Sequence, residues 1–301
     1  MKKEGDREII KKLGIDEKTL SKFKEVQRSA IAEAKAFGLR KNKKIKVLGI
    51  SGSARDENDT AQEKSNSEEL LKVCLEECKK MGADIELIPL RKYRIEHCKA
   101  CYSTTNTQCH FYCTCYPKGK SGDDMTNILY DKVLGADIIL FATPVNNFSM
   151  STLMKGFIDR CISLDGSLKP ADPKDPKNKE LNKKHMEFVK LAYDQNVPGS
   201  GMFKRFTGKI GGIITSGHEE GATMVISSLF MTLNHYGIMF PPFSNTYAMS
   251  SVCNSTHEDK RIVTSECNKS WVKLLAKNVM HLSHLVRKDN PNNWIYEYDE
   301  N

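Results

Sequence analysis

Short apolar runs that stop at small polar residues, each followed by a helical pattern, recur along this chain and restrict its fold more than any other feature. Lys46-Val47-Leu48-Gly49-Ile50 ends abruptly in Ser51-Gly52-Ser53, a buried strand feeding a loop. Ser67 to Met81 then places Leu70, Leu71, Val73, Cys74 and Cys78 at helical spacing and closes at Gly82. Further strands are predicted at Ile85 to Leu90, Asp137 to Ala142 and Lys209 to Thr215, with a fifth beginning at Ile238 to Pro241. The helices between and after them are Asp123 to Leu134, Ser151 to Ile162, Ala222 to Tyr236 and a last one carrying Ile262 through Leu285, opened by the capping pattern Ser255-Thr256-His257-Glu258. Five strands alternating with helices, several apolar throughout, imply a doubly wound α/β fold with a five-stranded parallel sheet covered on both faces.

The chain of 301 residues fits one large unit with extensions: an N-terminal helical extension over 1–43, a central domain over 44–286 and a C-terminal tail over 287–301. Leu20, Phe23, Ala30, Ala34 and Phe37 recur near helical spacing in the extension, as expected of an amphipathic helix docked on the core or on a second subunit. Two insertions interrupt the alternation: 91–122, which holds five cysteines, and 165–207, rich in Lys, Pro and Asn and long enough for a lid or an oligomer contact. Phe203 and Phe206 in the second are candidates to cover a ligand ring or anchor an interface.

The net charge of +8 resides in residues 1–46, with 15 Lys or Arg against 7 Asp or Glu, so the remainder is neutral overall. A nucleic-acid binder would carry its basic footprint on the recognising domain, and that class is disfavoured. No apolar run approaches a membrane span and no export leader is visible, so the expectation is a soluble, cytoplasmic protein whose cysteines stay reduced.

In a doubly wound sheet the ligand lies beyond the carboxyl ends of the strands. The loop after the first strand, Ser51-Gly52-Ser53-Ala54-Arg55, leads to Ser65-Asn66-Ser67 at a helix start. Small hydroxyl residues, a glycine and free amides at a helix N-terminus suit a terminal phosphate dianion, and Arg55 adds charge. Neither a Walker A sequence nor a G-x-G-x-x-G fingerprint is present.

Three segments together carry a resemblance: Gly49-x-Ser51-Gly52-Ser53-x-Arg55 at the end of the first strand and after it, Thr143-Pro144-Val145 after the third, and Met154-Lys155-x-Phe157-x-Asp159-Arg160 on the next helix. Over about residues 44–164 the chain resembles the NADPH-dependent FMN reductase family and its iron-sulfur flavoprotein branch, which are flavodoxin-like. The resemblance implies that Ser51, Ser53, Arg55, Ser65, Asn66 and Ser67 hold the FMN phosphate, that Pro144, Val145, Asn146 and Asn147 line the isoalloxazine ring, and that Ser216, Gly217 and His218 close the site. Asn146 stands where the family often has an aromatic residue, and His218 reads equally as a surface loop histidine. Lys155, Asp159 and Arg160 are expected to pair with neighbours or a second subunit rather than to act in chemistry.

Cys98, Cys101, Cys109, Cys113 and Cys115 fall within 18 residues, a density that outside a disulfide framework points to metal. In the iron-sulfur flavoprotein branch a compact cysteine motif in this place binds a [4Fe-4S] cluster, which the resemblance implies here. The spacing departs from that motif; zinc, with His97 or His110 as a substitute ligand, and unmetallated thiols stay open. Cys74, Cys78, Cys161, Cys253 and Cys267 read as small hydrophobes outside the site.

The resemblance implies an oxidoreductase that passes electrons from NAD(P)H through FMN to a small-molecule or protein acceptor, in a homodimer or homotetramer. Two other readings are an electron carrier reduced by a ferredoxin-like partner without nicotinamide activity, and a zinc-stapled protein of this fold that has lost FMN.

Overall fold

The computed structural model describes residues 5–37, 44–56, 58, 60, 62–103, 108–193, 204–217, 221–250 and 256–288, the last segment by backbone alone up to 259. The strands in chain order are β1 (Lys46–Ser51), β2 (Asp84–Pro89), β3 (Ile138–Asn146), the two-residue β4 (Ser149–Met150), β5 (Ile210–Gly217) and β6 (Asn245–Met249). Five of them form a parallel sheet ordered β2-β1-β3-β5-β6, and β4 folds back antiparallel on the end of β3. Leaving out β4, this is the 2-1-3-4-5 order of flavodoxin-like sheets, whose switch point lies between β1 and β3.

The apolar runs become strands buried on both faces because their residues alternate between two cores. Leu48, Ile50, Ile139 and Phe141 face a core shared with α4 (Tyr130–Gly135), α5 (Thr152–Arg160) and α7 (Ala222–His235). Val47, Ile138, Leu140 and Ile214 face the opposite core, closed by α3 (Asn66–Lys80) and α9 (Glu266–Lys288). Fully burying each such side chain contributes about 1.5–3 kcal/mol.

A third apolar cluster lies apart. α1 (Asp6–Leu13) and α2 (Glu17–Phe37) contribute Ile9, Leu20 and Phe23, which pack against Leu168, Ala171, Phe188 and Val189, the last two on α6 (Lys179–Ala192). The N-terminal extension therefore docks on this chain's own second insertion. Of the expected lid, residues 165–193 are committed to this packing, 194–203 with Phe203 fall outside the described residues, and Phe206 is buried in the main core, stacked on Tyr236 at 6.1 Å.

Two strand and helix assignments are corrected. Ile238 to Pro241 is the approach to the fifth strand, touching the sheet only through the isolated bridge of Met239 with Ile210. Pro241 and Pro242 have no amide hydrogen to continue a ladder, and pairing resumes at Asn245. The last helix is two, α8 (Thr256–Val263) and α9, separated at Thr264 and Ser265; Ser255 of the expected cap lies outside the described residues. A π-helical turn over Met125–Leu129 precedes α4 where a plain α-helix is predicted, and Cys161–Leu164 extends α5 as a 3-10 turn. Among the described residues no helix is long and apolar enough to cross a membrane.

Candidate functional site

The loop leaving β1 is held from behind by Ser151. Its hydroxyl donates to Gly52 O at 2.6 Å and accepts from Met154 N at 3.2 Å, so one side chain caps α5 and fixes the loop. Gly52 N in turn donates to Ala142 O on β3 at 2.8 Å. A Cβ at Gly52 would lie 2.8 Å from Met154 Cβ, so only glycine lets the loop pass this closely.

At the start of α3 Ser65 is the N-cap, its hydroxyl accepting from Glu68 N at 3.2 Å. Asn66 and Ser67 form the first turn, whose amides point outward at the positive end of the helix dipole. The opposite wall comes from β3. Its last residues run past the sheet and reverse through Asn147 and Phe148, with φ of 49° and 61°, into β4. Two consecutive left-handed residues are the geometry of a primed two-residue hairpin turn. Phe148 in this region is strained and remains 57% exposed. Gly221, at φ 142°, backs the turn: a Cβ there would meet Phe148 Cα at 2.9 Å.

These segments enclose a cavity of about 310 Å³ at the carboxyl ends of β1, β3 and β5. Of the residues that the resemblance implies for the flavin, Ser53, Arg55, Ser65, Asn66, Ser67, Pro144, Val145, Asn146, Ser216 and Gly217 line it. Ala54, Ser250 and Val263 join them. Ser250 follows β6 and donates its backbone amide to Gly217 O at 2.9 Å; with the fifth strand placed too early, its position was not legible. The Ser250 hydroxyl and the Asn66 amide oxygen are buried in this wall without a partner among the described residues. A ligand rich in hydroxyl groups and phosphate oxygens would satisfy both.

Two predicted residues lie elsewhere and a third is not among the described residues. Asn147 sits exposed in the hairpin turn, and His218 falls outside the described residues. Ser51 is fully buried behind the loop, where its hydroxyl donates to Glu68 Oε2 at 3.0 Å. Ser65-x-x-Glu68 reads as a capping box, yet the Glu68 carboxylate turns to Ser51, to Arg91 Nη1 at 2.5 Å and to Lys72 Nζ at 2.9 Å. Burial opposes ionisation of Glu68, but hydrogen bonds from Arg91, Lys72 and Ser51 outweigh it and hold the carboxyl at about 2. An ionised, neutralised carboxylate thus ties β1, α3 and the segment after β2 together directly beneath the cavity.

On the helix motif, Lys155 pairs with Asp159 at 2.5 Å on the surface, whereas Arg160 is buried and forks onto Asp123, Nη1 to Oδ1 and Nη2 to Oδ2, both at 2.8 Å. Arg160 Nη1 also donates to Glu96 O at 2.8 Å, so the pair fastens the cysteine-rich insertion to α5.

The five predicted thiols are neighbours, each half-buried and, among the described residues, none in a disulfide. Cys101 and Cys115 approach to 3.2 Å between sulfurs. Desolvation pushes Cys109 up to about 11 and Cys115 up to about 12, with neighbouring thiols adding to the rise in both. Desolvated soft donors in mutual contact suit a thiophilic metal that would compensate their charge. Among the described residues, however, no three His, Cys, Asp or Glu side chains are already set at metal-ligating geometry. Cys74, Cys78 and Cys161 are buried, Cys267 is exposed, and Cys253 lies outside the described residues.

A family model described as NADPH-dependent FMN reductase matches residues 45–252. An iron-sulfur flavoprotein of Archaeoglobus fulgidus is 32% identical over 116 residues, covering 38% of this chain and 48% of that protein. A second iron-sulfur flavoprotein of that organism is 28% identical over 120 residues, covering 39% and 46%. The chain thus spans about half the length of the curated relatives it matches. Among solved structures, RosB with a bound 8-demethyl-8-formylriboflavin-5′-phosphate intermediate aligns at a TM-score of 0.53 and 17% identity, over 82% of this chain and 81% of that one, a likeness of fold. The matched segment contains the loop after β1, the β3 extension and the β5 end that together wall the cavity, and the chain belongs to the NADPH-dependent FMN reductase family.

Proposed function

We propose that the protein is an FMN-dependent oxidoreductase drawing electrons from NAD(P)H. The observation that carries this reading is the continuous cavity wall formed by Ser53 to Arg55, Ser65 to Ser67 and Pro144 to Asn146, with two buried polar atoms in it that have no partner among the described residues. Bound there, FMN would supply the hydride and single-electron chemistry, as flavins do. The chain's own residues bind and orient. The Asn66 and Ser67 amides, the Ser53 hydroxyl and Arg55 receive the phosphate, while Asn66 Oδ1 and Ser250 Oγ meet the ribityl hydroxyls. Pro144 to Asn146 and Ser216-Gly217 line the ring and keep water from one side of it.

The grouping of five desolvated thiols supports a second reading, an iron-sulfur flavoprotein electron carrier like the curated relatives. Cys98, Cys101, Cys109, Cys113 and Cys115 supply its candidate ligands, and a cluster there would pass the flavin's electrons singly to an acceptor. Anaerobic addition of NADPH to the flavin-loaded protein tests both: bleaching of the flavin absorbance supports the reductase, whereas bleaching only by a reduced one-electron donor supports the carrier. Retention of no FMN at excess cofactor overturns both.

A further inference from the structure

From Gly221 to His257 the chain contains no Asp, Glu, Lys or Arg, although 28% of its residues are charged. This stretch supplies α7 and β6, the last strand of the sheet, and its outer surface is apolar. Met224, Phe230 and Met231 on α7, Phe243 and Tyr247 at the β6 edge, and Phe148 in the neighbouring hairpin turn are each between 40% and 70% exposed. They adjoin one another: the Phe230 ring lies 5.0 Å from that of Phe240, just ahead of Phe243, and Gly221 at the head of α7 backs Phe148. At about 200 Å² for an open side chain of this size, the six present about 700 Å². The largest apolar patch on a monomer is about 300–600 Å², and one side of a stable protein interface is about 800 Å². We propose that two copies of this chain pair through this surface about a two-fold axis, α7 antiparallel against α7; the pairing goes beyond the flavin reading and does not depend on it.

Charge identifies the occupant. A two-fold axis sets a face against itself, so a face bearing ionised groups meets its own sign, whereas an uncharged one pairs with itself at no electrostatic cost. A transient redox partner is steered by complementary charge, and a membrane surface by Lys and Arg. The α7 face offers neither; charge first appears at the far end of the helix, where Asp165 and Lys204 meet His235. Helical spacing then sets the register. Met224, Ser227, Ser228 and Met231 share one exposed side of α7 at i, i+3, i+4 and i+7. With the axis between Ser227 and Ser228, Met224 of one copy lies against Met231 of the other at both ends, and the serines admit close approach at the middle. Methionine, unbranched and polarizable, fills such a contact readily. The second insertion is no competing surface, because Leu168, Phe188 and Val189 are already packed on α1 and α2.

The test is sedimentation equilibrium of the full-length protein, with and without FMN, alongside Met224→Lys, Met231→Glu and the two combined in one chain. The unaltered protein is expected at twice the 34.0 kDa of one chain. Each single substitution buries an unpaired charge at both ends of the helix pair and should weaken association by about a hundredfold. Combined, the two charges oppose each other across the axis, and association should return to within about tenfold of the unaltered protein. Both positions are exposed, so helical circular dichroism should match in all four proteins, and a damaged fold would not give the return in the double variant. A monomeric unaltered protein, or an assembly of any size that survives both single substitutions, overturns the inference. Loss of association in both single variants with no return in the double variant overturns it too.

Discussion

Arg160 has a side chain 1% exposed, and its partner Asp123 is fully enclosed. Arg160→Met strands that carboxylate in the core and should cost about 3–5 kcal/mol in urea unfolding, whereas adding Asp123→Asn should recover part of the loss because no charge is then left unpaired. Non-additivity of the two changes is the signature to measure. Glu68 gives a pH prediction. Its ordinary value near 4.5 falls to about 2 in the fold, so its contribution is complete above about pH 5 and is lost as pH falls through the folded value. The stability advantage of the unaltered protein over Glu68→Gln should accordingly shrink by about 3 kcal/mol between pH 5 and pH 2, read as the difference of two denaturation series. Neither pair was legible in advance: Glu68 meets Arg91 across 23 positions and Arg160 meets Asp123 across 37, and no local pattern encodes such partners. Most of the cavity-lining residues were legible because they follow an apolar run or open a helix, where geometry is set locally; Ser250 and Val263 were not.

At the scale of elements the strands announced themselves through continuous apolar runs, and the register between them followed from burial on both faces. What escaped was composition without contrast. β6, Asn245 to Met249, alternates exposed and buried residues at the sheet edge, so its pattern is weaker than the apolar approach before it. The break between α8 and α9 was marked locally but weakly: Ser265 stands just before α9 and its hydroxyl accepts from Asn268 N at 3.4 Å, as a helix N-cap does. The paired glycines of β5 show how closely elements approach. A Cβ at Gly211 would stand 2.5 Å from the Phe240 ring, and one at Gly212 would stand 2.8 Å from both Leu140 and Leu275. Gly212→Ala must therefore displace the Leu140 and Leu275 side chains in the close-packed core and should cost about 1–3 kcal/mol, seen as a lowered thermal midpoint. Gly156→Ala is the control: its Cβ meets nothing within 4 Å at a half-buried helix position, and the change should be neutral or stabilising.

Across the whole molecule, the sheet with its two cores forms one layer of stability and the cluster of α1, α2 and α6 forms another. The two are stitched by charge at one seam: Glu33 on α2 reaches Lys169 at 2.9 Å and Arg205 at 3.9 Å, and Arg205 also stacks on Phe111 of the cysteine-rich insertion at 4.4 Å. Desolvation pulls Arg205 down to about 10, so this cation depends on Glu33 for compensation. Amphipathic spacing in the extension predicted that it docks; which surface it docks on was hidden, because the complementary residues lie about 150 positions later, Lys22 on Asp172 among them. Phe23 is the keystone of that contact, fully buried with its ring 4.9 Å from His185 and 5.6 Å from Phe188. Phe23→Ala should cost about 3–5 kcal/mol within this cluster. Because the cluster shares no buried apolar residue with the sheet cores, the loss should appear as local opening rather than global unfolding. Hydrogen exchange should quicken across α1, α2 and α6 while the amides of β1, β3 and β5 keep their protection, and uniform loss of protection in the strands would refute the two-layer description.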